Sequence, residues 1–139
     1  MYNLKHLILL LSCVGSAAIA DEPQAALSVE LNAQAISEAG CLLTFMVSNG
    51  HAQDVEAAVF ETVLFNKAGG VDRLTLFDFG SLPAGRPRVR QFQVEGLACE
   101  ELGQVLINGA STCRIAGEDS AVCGQSLKLN TRTDTELTG

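Results

Sequence analysis

The chain has 139 residues, of which 9 are basic and 16 acidic, so that its net charge is −7. A chain of this length is expected to form one domain with one hydrophobic core. Its negative charge disfavours binding to nucleic acid or to an anionic membrane surface.

The first twenty residues have the pattern of a secretory signal peptide. A lysine and a histidine precede an apolar run over residues 7–14, and small residues then lead to Ala20. The run is much shorter than the roughly twenty apolar residues of a membrane-spanning helix. We therefore expect residues 1–20 to be removed on export. Residues 21–139 then form a single domain in which 8 basic residues face 16 acidic ones, a net charge of −8.

Cys13 provides an alternative interpretation of this region. The four residues that end at Cys13 loosely resemble a lipobox, which would place the cleavage before Cys13 and a lipid anchor on its thiol. The apolar stretch before Cys13 is then very short, and the small residues before Ala20 are the better cleavage signal. The lipid anchor is therefore kept as the minor alternative.

Four cysteines follow the signal region, at Cys41, Cys99, Cys113 and Cys123. In an oxidising compartment, an even number of widely spaced cysteines predicts structural disulfides, here two bridges in one of three pairings. The chain has no Cys-x-x-Cys, and His51 is the only histidine after the signal region. A zinc site or a thiol redox centre is therefore not predicted, and we expect no cofactor.

Short apolar segments separated by Gly, Pro, Asn and Asp predict an all-β domain. The predicted strands cover residues 27–31, 41–47, 57–65, 71–79, 89–94, 104–108 and 127–135. Seven strands at this spacing indicate an antiparallel two-sheet sandwich of the immunoglobulin or fibronectin III type. A small antiparallel barrel is the alternative.

The connections between these strands are also predicted. Residues 66–70 have the turn chemistry of a hairpin loop, and residues 80–87 contain two prolines that interrupt the ladder. Residues 32–40 are read as a polar connection, and residues 98–102 as one helical turn. Residues 113–123 are read as a polar loop before the last strand.

The predicted topology favours one disulfide pairing. Cys41 begins the second strand, and Cys99 lies just past the end of the fifth. In an immunoglobulin-like sandwich these strands are antiparallel neighbours, so those two ends meet. This pairs Cys41 with Cys99 and leaves Cys113 with Cys123 to close the loop before the last strand.

Two segments resemble a known group of proteins. Residues 64–71 read Leu-Phe-Asn-Lys-Ala-Gly-Gly-Val, and residues 82–92 begin Leu-Pro-Ala-Gly. This hairpin, followed by a strand that rises from Leu-Pro-Ala-Gly, resembles small exported bacterial proteins with an immunoglobulin-like sandwich. The likeness covers about residues 26–137. It implies that fold and a periplasmic location, and it carries no established activity.

Arg86, Arg88 and Arg90 are the candidate binding residues. They lie within five positions of an otherwise acidic chain. Alternate positions of a strand share one face, here the face of Phe92 and Val94, so the arginines would extend beyond the core as a positive patch. Guanidinium groups placed there would bind a carboxylate or a phosphate.

A simpler interpretation, to which we give more weight, is that these arginines serve the chain itself. They would either protect an edge strand from aggregation or pair with nearby carboxylates. The carboxylates considered are Asp72, Asp78 and Glu95.

Other combinations of reactive side chains are weaker. His51 with Asp54 would supply half of a metal site, but a lone histidine in a turn is usually solvated. No serine lies in a Gly-x-Ser-x-Gly elbow. The adjacent acidic pairs at residues 100–101 and 118–119 point apart in loops, and residues 117–120 lack the spaced acidic ligands of a calcium loop. We therefore predict no enzymatic activity.

These observations favour a non-enzymatic binding or accessory module. It would dock to another envelope protein through the strand at residues 89–94 and the neighbouring loops. The alternative is a binder of a small anionic ligand or a metal ion. That alternative predicts a gap between the sheets, lined by Phe45, Phe60, Phe77 and Phe92.

Overall fold

The computed structural model describes residue 18 and residues 24–139, and within them it shows nine β-strands and two short 3-10 turns. The signal sequence and Cys13 lie outside these residues, apart from Ala18. The strands are β1 (Leu27–Ser37), β2 (Gly40–Asn49), β3 (Val55–Asn66), β4 (Val71–Leu82), β5 (Arg88–Glu95), β6 (Leu102–Ile115), β7 (Glu118–Asp119), β8 (Lys128–Thr131) and β9 (Glu136–Thr138). The 3-10 turns are Cys99–Glu101 and Val122–Gly124.

The strands form two sheets packed face to face, as predicted. One sheet has the order β5-β2-β1-β8, and the other has the order β4-β3-β6-β7, with β9 also pairing with β6. The sheets are not closed into a barrel. Two short pairings are parallel, β1 with β8 and β6 with β9, which the antiparallel prediction did not include.

Several strands are longer than their sequence pattern indicates. β1 continues through the polar residues to Ser37, because it pairs with β2 along its length, with a bulge between Leu31 and Ala33. β6 continues to Ile115, because β3 pairs with it as far as Arg114. The prediction that Cys113 begins a loop was therefore wrong.

The last predicted strand is divided. β8 ends at Thr131 and β9 begins at Glu136, with a turn between them. In this turn the Thr131 hydroxyl accepts a hydrogen bond from the Thr133 amide, and the Thr133 hydroxyl accepts one from the Thr135 amide. Threonine hydroxyls that bond to nearby backbone compete with the sheet ladder in this way. The chain consequently crosses from one sheet to the other.

The core lies between the sheets, where alternate residues of each strand point inward. In β2 the inward residues are fully buried; they are Cys41, Leu43, Phe45 and Val47. Aromatic rings meet them from the second sheet. The Phe45 ring lies 5.9 Å from Phe77 and 5.6 Å from Phe79, and Phe77 stacks on Phe92 at 4.2 Å between centroids. The predicted gap lined by phenylalanines is thus filled by the rings themselves.

Both predicted disulfides are confirmed. Cys41 of β2 bonds to Cys99 in the first 3-10 turn, and Cys113 of β6 bonds to Cys123 in the second. The first bridge ties the chain after β5 to the neighbouring strand. The second holds the β7 segment and the turn after it against the end of β6.

The two bridges differ in the length of chain that they close, which predicts different contributions to stability. The pairs are separated by 58 and 10 residues. From the entropy of closing loops of these lengths, we expect the free energy of unfolding to fall by about 4 kcal/mol in Cys41→Ala/Cys99→Ala. In Cys113→Ala/Cys123→Ala it should fall by about 3 kcal/mol. Urea-induced unfolding of the two double variants measures both losses. A smaller loss for the first pair would contradict the entropic explanation.

Glu30 attaches β8 to β1. Its carboxylate accepts hydrogen bonds from Asn32 at 2.8 Å, from Asn130 at 3.0 Å and from Arg132 at 2.9 Å. These bonds, with Asn32 contributing most, lower the pKa of Glu30 below its usual 4.5 and outweigh the partial desolvation that raises it. The ionised form of Glu30 is therefore the one that the folded state prefers.

The lowered pKa predicts a stability loss in acid. The contribution of Glu30 is fully present above pH 4.5 and is lost as the pH falls through the lower folded-state pKa. Glu30→Gln, which removes the ionisation, should flatten the decrease in the free energy of unfolding below pH 4.5, measured by urea titration at several pH values. Glu38→Gln, at an exposed position, is the control and should retain the wild-type profile. Identical profiles for Glu30→Gln and the wild type would refute the assignment.

Candidate functional site

The strands β4 and β5 lie at the edges of their sheets on the same side of the sandwich. Each pairs with one neighbour, β4 with β3 and β5 with β2. Phe77 of β4 stacks on Phe92 of β5, which holds the two edges against each other. We call these strands and the connecting residues 83–87 the β4–β5 edge. The candidate arginines all lie on it.

Arg90 has a structural role at this edge. Its side chain is half-buried and shares the inward face of β5 with Phe92, as predicted. Its Nε donates to the Phe79 carbonyl at 2.6 Å, and its Nη2 donates to the Ser81 carbonyl at 3.0 Å. Both carbonyls belong to β4, so the guanidinium group joins the two sheets. A forked donor is suited to two acceptors placed in this way.

A local distortion of β4 lies between the two carbonyls that Arg90 contacts. Gly80 has a φ of 65°, which is unfavourable for residues with a side chain. Its amide donates to Asp78 Oδ1 at 2.8 Å instead of continuing a regular ladder. Asp78 was considered as an ion-pair partner for the arginines, and it instead stabilises this turn.

Arg73 makes the reciprocal contact, and the sequence analysis missed it. Its Nη1 donates to the Glu95 carbonyl at the end of β5, at 2.7 Å, and its Nε pairs with Asp72. An arginine from each edge thus satisfies the backbone of the other. The sequence did contain a signal for this role. Arg73 is four residues before Phe77, so the two side chains share the inward face of the strand, and inward charges are one device that protects edge strands.

Arg86 and Arg88 are placed differently from Arg90. Arg86 is exposed and precedes β5, so it lies outside the strand face to which it was assigned. Arg88 is half-buried, and the one hydrogen bond of its side chain to the described residues runs from Nη1 to the adjacent Pro87 carbonyl, at 3.0 Å.

The two ion pairs found within residues 24–139 are Arg73 with Asp72 and Arg132 with Glu30. The predicted pairing of the candidate arginines with Asp72, Asp78 or Glu95 was therefore wrong. The reason is geometric: Arg73 occupies Asp72, Asp78 bonds to Gly80, and Glu95 contributes its backbone carbonyl. The arginine patch accordingly divides into one structural residue, Arg90, and two side chains that pair with no carboxylate of residues 24–139.

Asn49 and Asp54 hold the loop that carries Arg86. Asn49 is buried, and its amide group donates to the Leu82 carbonyl at 2.8 Å. The Asn49 carbonyl accepts from the Gly85 amide at 2.8 Å, and the Asp54 carboxylate accepts from the Ala84 amide at 2.8 Å. These contacts fix the loop against the connection between β2 and β3. Sequence reasoning missed Asn49, because its partners Leu82 and Gly85 are distant in sequence.

The remaining candidates do not assemble into a site. Asp54 bonds to Ala84, and His51 Nε2 is buried without a hydrogen-bond partner among the described residues. In the same part of the chain, no group of three His, Cys, Asp or Glu side chains is arranged to hold a metal ion. Residues 118–119 form β7, so the calcium loop considered for residues 117–120 is a hairpin.

Exposed apolar side chains flank the β4–β5 edge, and sequence analysis did not select them. Leu74 and Leu76 on the outer face of β4 are 62% and 59% exposed, and Val89 on the outer face of β5 is 58% exposed. Their strand positions alternate with those of the core phenylalanines. This alternation could have identified them from the sequence, since it places these three apolar side chains on the solvent face.

Comparison with known proteins identifies no relative: no family model, no curated protein and no solved structure matches the chain. The structure defines its class, a two-sheet β-sandwich with two disulfides. Within residues 24–139, no helix combines the length and apolar character needed to cross a lipid bilayer.

The separate roles of the arginines predict separate effects on stability. Arg90→Ala should lower the free energy of unfolding by about 2 kcal/mol, because two carbonyls lose a charged donor. Arg86→Ala, at an exposed position, should change it by less than about 0.5 kcal/mol. Urea denaturation of the two variants provides the comparison. Equal effects would show that Arg90 does not join the sheets.

Proposed function

We propose that this protein is a non-enzymatic binding module that docks to another protein of the cell envelope through the β4–β5 edge. The observation that carries the proposal is the pair Arg86 and Arg88, two cations on an acidic chain without an internal carboxylate partner within residues 24–139. They lie beside an edge strand with the exposed Val89.

The position of the arginines suits a protein partner that presents carboxylates. Arg86 is held on a loop that is fixed by Asn49 and Asp54, so little conformational entropy of the loop is lost on binding. Arg88 begins the edge strand itself. A partner would thus meet two cations together with the exposed Val89, and guanidinium groups bind carboxylates in a defined orientation.

The proposed compartment is the periplasm. Two disulfides are consistent with an oxidising environment, and the N-terminal sequence has the pattern of a cleaved export signal. The alternative, a small ligand or a metal ion between the sheets, has less support, because the phenylalanines that would line its site pack against one another.

Affinity capture tests the proposal. The protein, tagged after Gly139, is recovered from its native envelope, and co-purified proteins are quantified by mass spectrometry. Arg86→Ser/Arg88→Ser should reduce recovery of a specific partner about tenfold, a loss of about 1.4 kcal/mol in binding free energy. The partner should bind the purified protein less tightly as salt increases.

The matched control is Lys67→Ser/Lys128→Ser, which removes the same charge from two exposed positions elsewhere. This variant should recover the partner at the wild-type level. Equal losses in both double variants would indicate a general charge effect and contradict the assigned site. Absence of any specific partner of the wild-type protein would reject the binding function.

A further inference from the structure

Arg73 is the inward charge in the first half of β4, but it donates to the Glu95 carbonyl of β5 and to the Asp72 carboxylate, so it covers no backbone carbonyl of β4. β4 has 12 residues and pairs on one side with β3. Arg90 covers the carbonyls of Phe79 and Ser81, which lie near the end of the strand. The segment 71–77 contains neither lysine nor proline, the residues that commonly block edge pairing. Its unpaired backbone groups are therefore open to another strand.

The outer face beside this segment is apolar. Leu74 pairs with Val63 of β3, and Val63 pairs with Leu106 of β6, so the three side chains form a row across the sheet. Val63 is only 7% exposed although it lies on the outer face, because its neighbours cover it. Leu74 and Leu76 remain more than half exposed at the end of this apolar surface. An added strand would bury them.

Two carboxylates flank Leu76 on the same face. Glu61 lies directly opposite it on β3, and Asp78 follows two residues later on β4. Glu61 accepts a hydrogen bond from Asn108, and Asp78 accepts one from Gly80, so both carboxylates are held in place. Neither forms an ion pair within the described residues. This arrangement favours a strand that carries a basic residue beyond its apolar positions.

We propose that residues 71–77 of β4 accept an extended segment of another polypeptide by strand addition. The segment would place aliphatic side chains on Leu74 and Leu76, and a lysine or arginine beside Glu61 and Asp78. Main-chain hydrogen bonds to β4 would supply affinity, and the alternate side chains would supply specificity. This inference rests on the proposed binding function. It adds a segment with aliphatic and basic side chains on β4 to the carboxylates that the same partner would present to Arg86 and Arg88.

A second copy of this chain is a poorer occupant. Two antiparallel copies of β4 paired about Thr75 would place Leu74 of each against Leu76 of the other. The same register places Asp72 opposite Asp78, and like charges directly opposite are destabilising. The net negative charge of the chain adds to this repulsion. The partner is therefore a different polypeptide with basic residues.

A synthetic peptide tests the proposal with the intact protein. Its threonines occupy every second position, and two valines followed by two lysines occupy the positions between them, so that one face carries the valines and lysines. We expect binding to slow hydrogen exchange of backbone amides within residues 71–77, measured by nuclear magnetic resonance. A peptide with glutamates in place of the lysines should bind at least about tenfold more weakly.

Two sets of variants locate the site. Leu74→Gln/Leu76→Gln should abolish binding, whereas Ile36→Gln, which alters an exposed apolar residue of β1, should leave it unchanged. Glu61→Gln/Asp78→Asn keeps an oxygen acceptor for Asn108 and Gly80 and should remove the preference for lysine over glutamate. This conservative variant tests the charge requirement even if the leucine variant fails to fold.

Several results would overturn the inference. They are absence of peptide binding, protection confined to β5, equal binding of both peptides to the wild-type protein, and self-association through β4 in sedimentation experiments. The proposed function fails separately, when no specific envelope partner is captured. Capture of a partner whose affinity is unchanged by Leu74→Gln/Leu76→Gln would uphold the binding function and reject the β4 site.

Discussion

Aromatic packing between the sheets determines the arrangement of the whole edge. Phe45 of the first sheet contacts Phe77 and Phe79 of the second, and Phe77 stacks on Phe92. These contacts fix β4 against β5, so that Arg90 can reach carbonyls of the opposite sheet. Arg88 lies at the start of β5, where its guanidinium group bonds, among the described residues, to the adjacent Pro87 carbonyl alone.

Much of the fold was predictable, because apolar residues at alternate positions of the sequence indicate strands with one buried face. Cys41, Leu43 and Phe45 alternate with polar or half-buried positions, and the two disulfides followed from the predicted neighbours. The length of β6 was not predictable from its own residues, since its pairing with β3 continues beyond a register shift near Asn108. Local threonine hydrogen bonds similarly divide the final strand.

The candidate site was predictable only in part. Sequence alternation correctly assigned Arg90 to the face of Phe92, but its acceptors are backbone carbonyls, which no residue pattern identifies. Arg86 was assigned to the face of Phe92 by extending the alternation of the strand back across Pro87, whereas β5 begins at Arg88. Leu74 and Leu76 were overlooked because an apolar residue within a strand is usually read as core, although their alternation with Phe77 and Phe79 assigns them to the opposite face.

The chain after Leu127 contributes to both sheets, which has a consequence for the order of assembly. β8 pairs with β1 across a separation of about one hundred residues, as Ser28 faces Lys128, and β9 pairs with β6. Contacts between distant parts of a chain form slowly because a long loop must close first. β1 therefore keeps one open edge until residues 128–131 pair with it, and neither sheet has all its strands before β8 and β9 are in place.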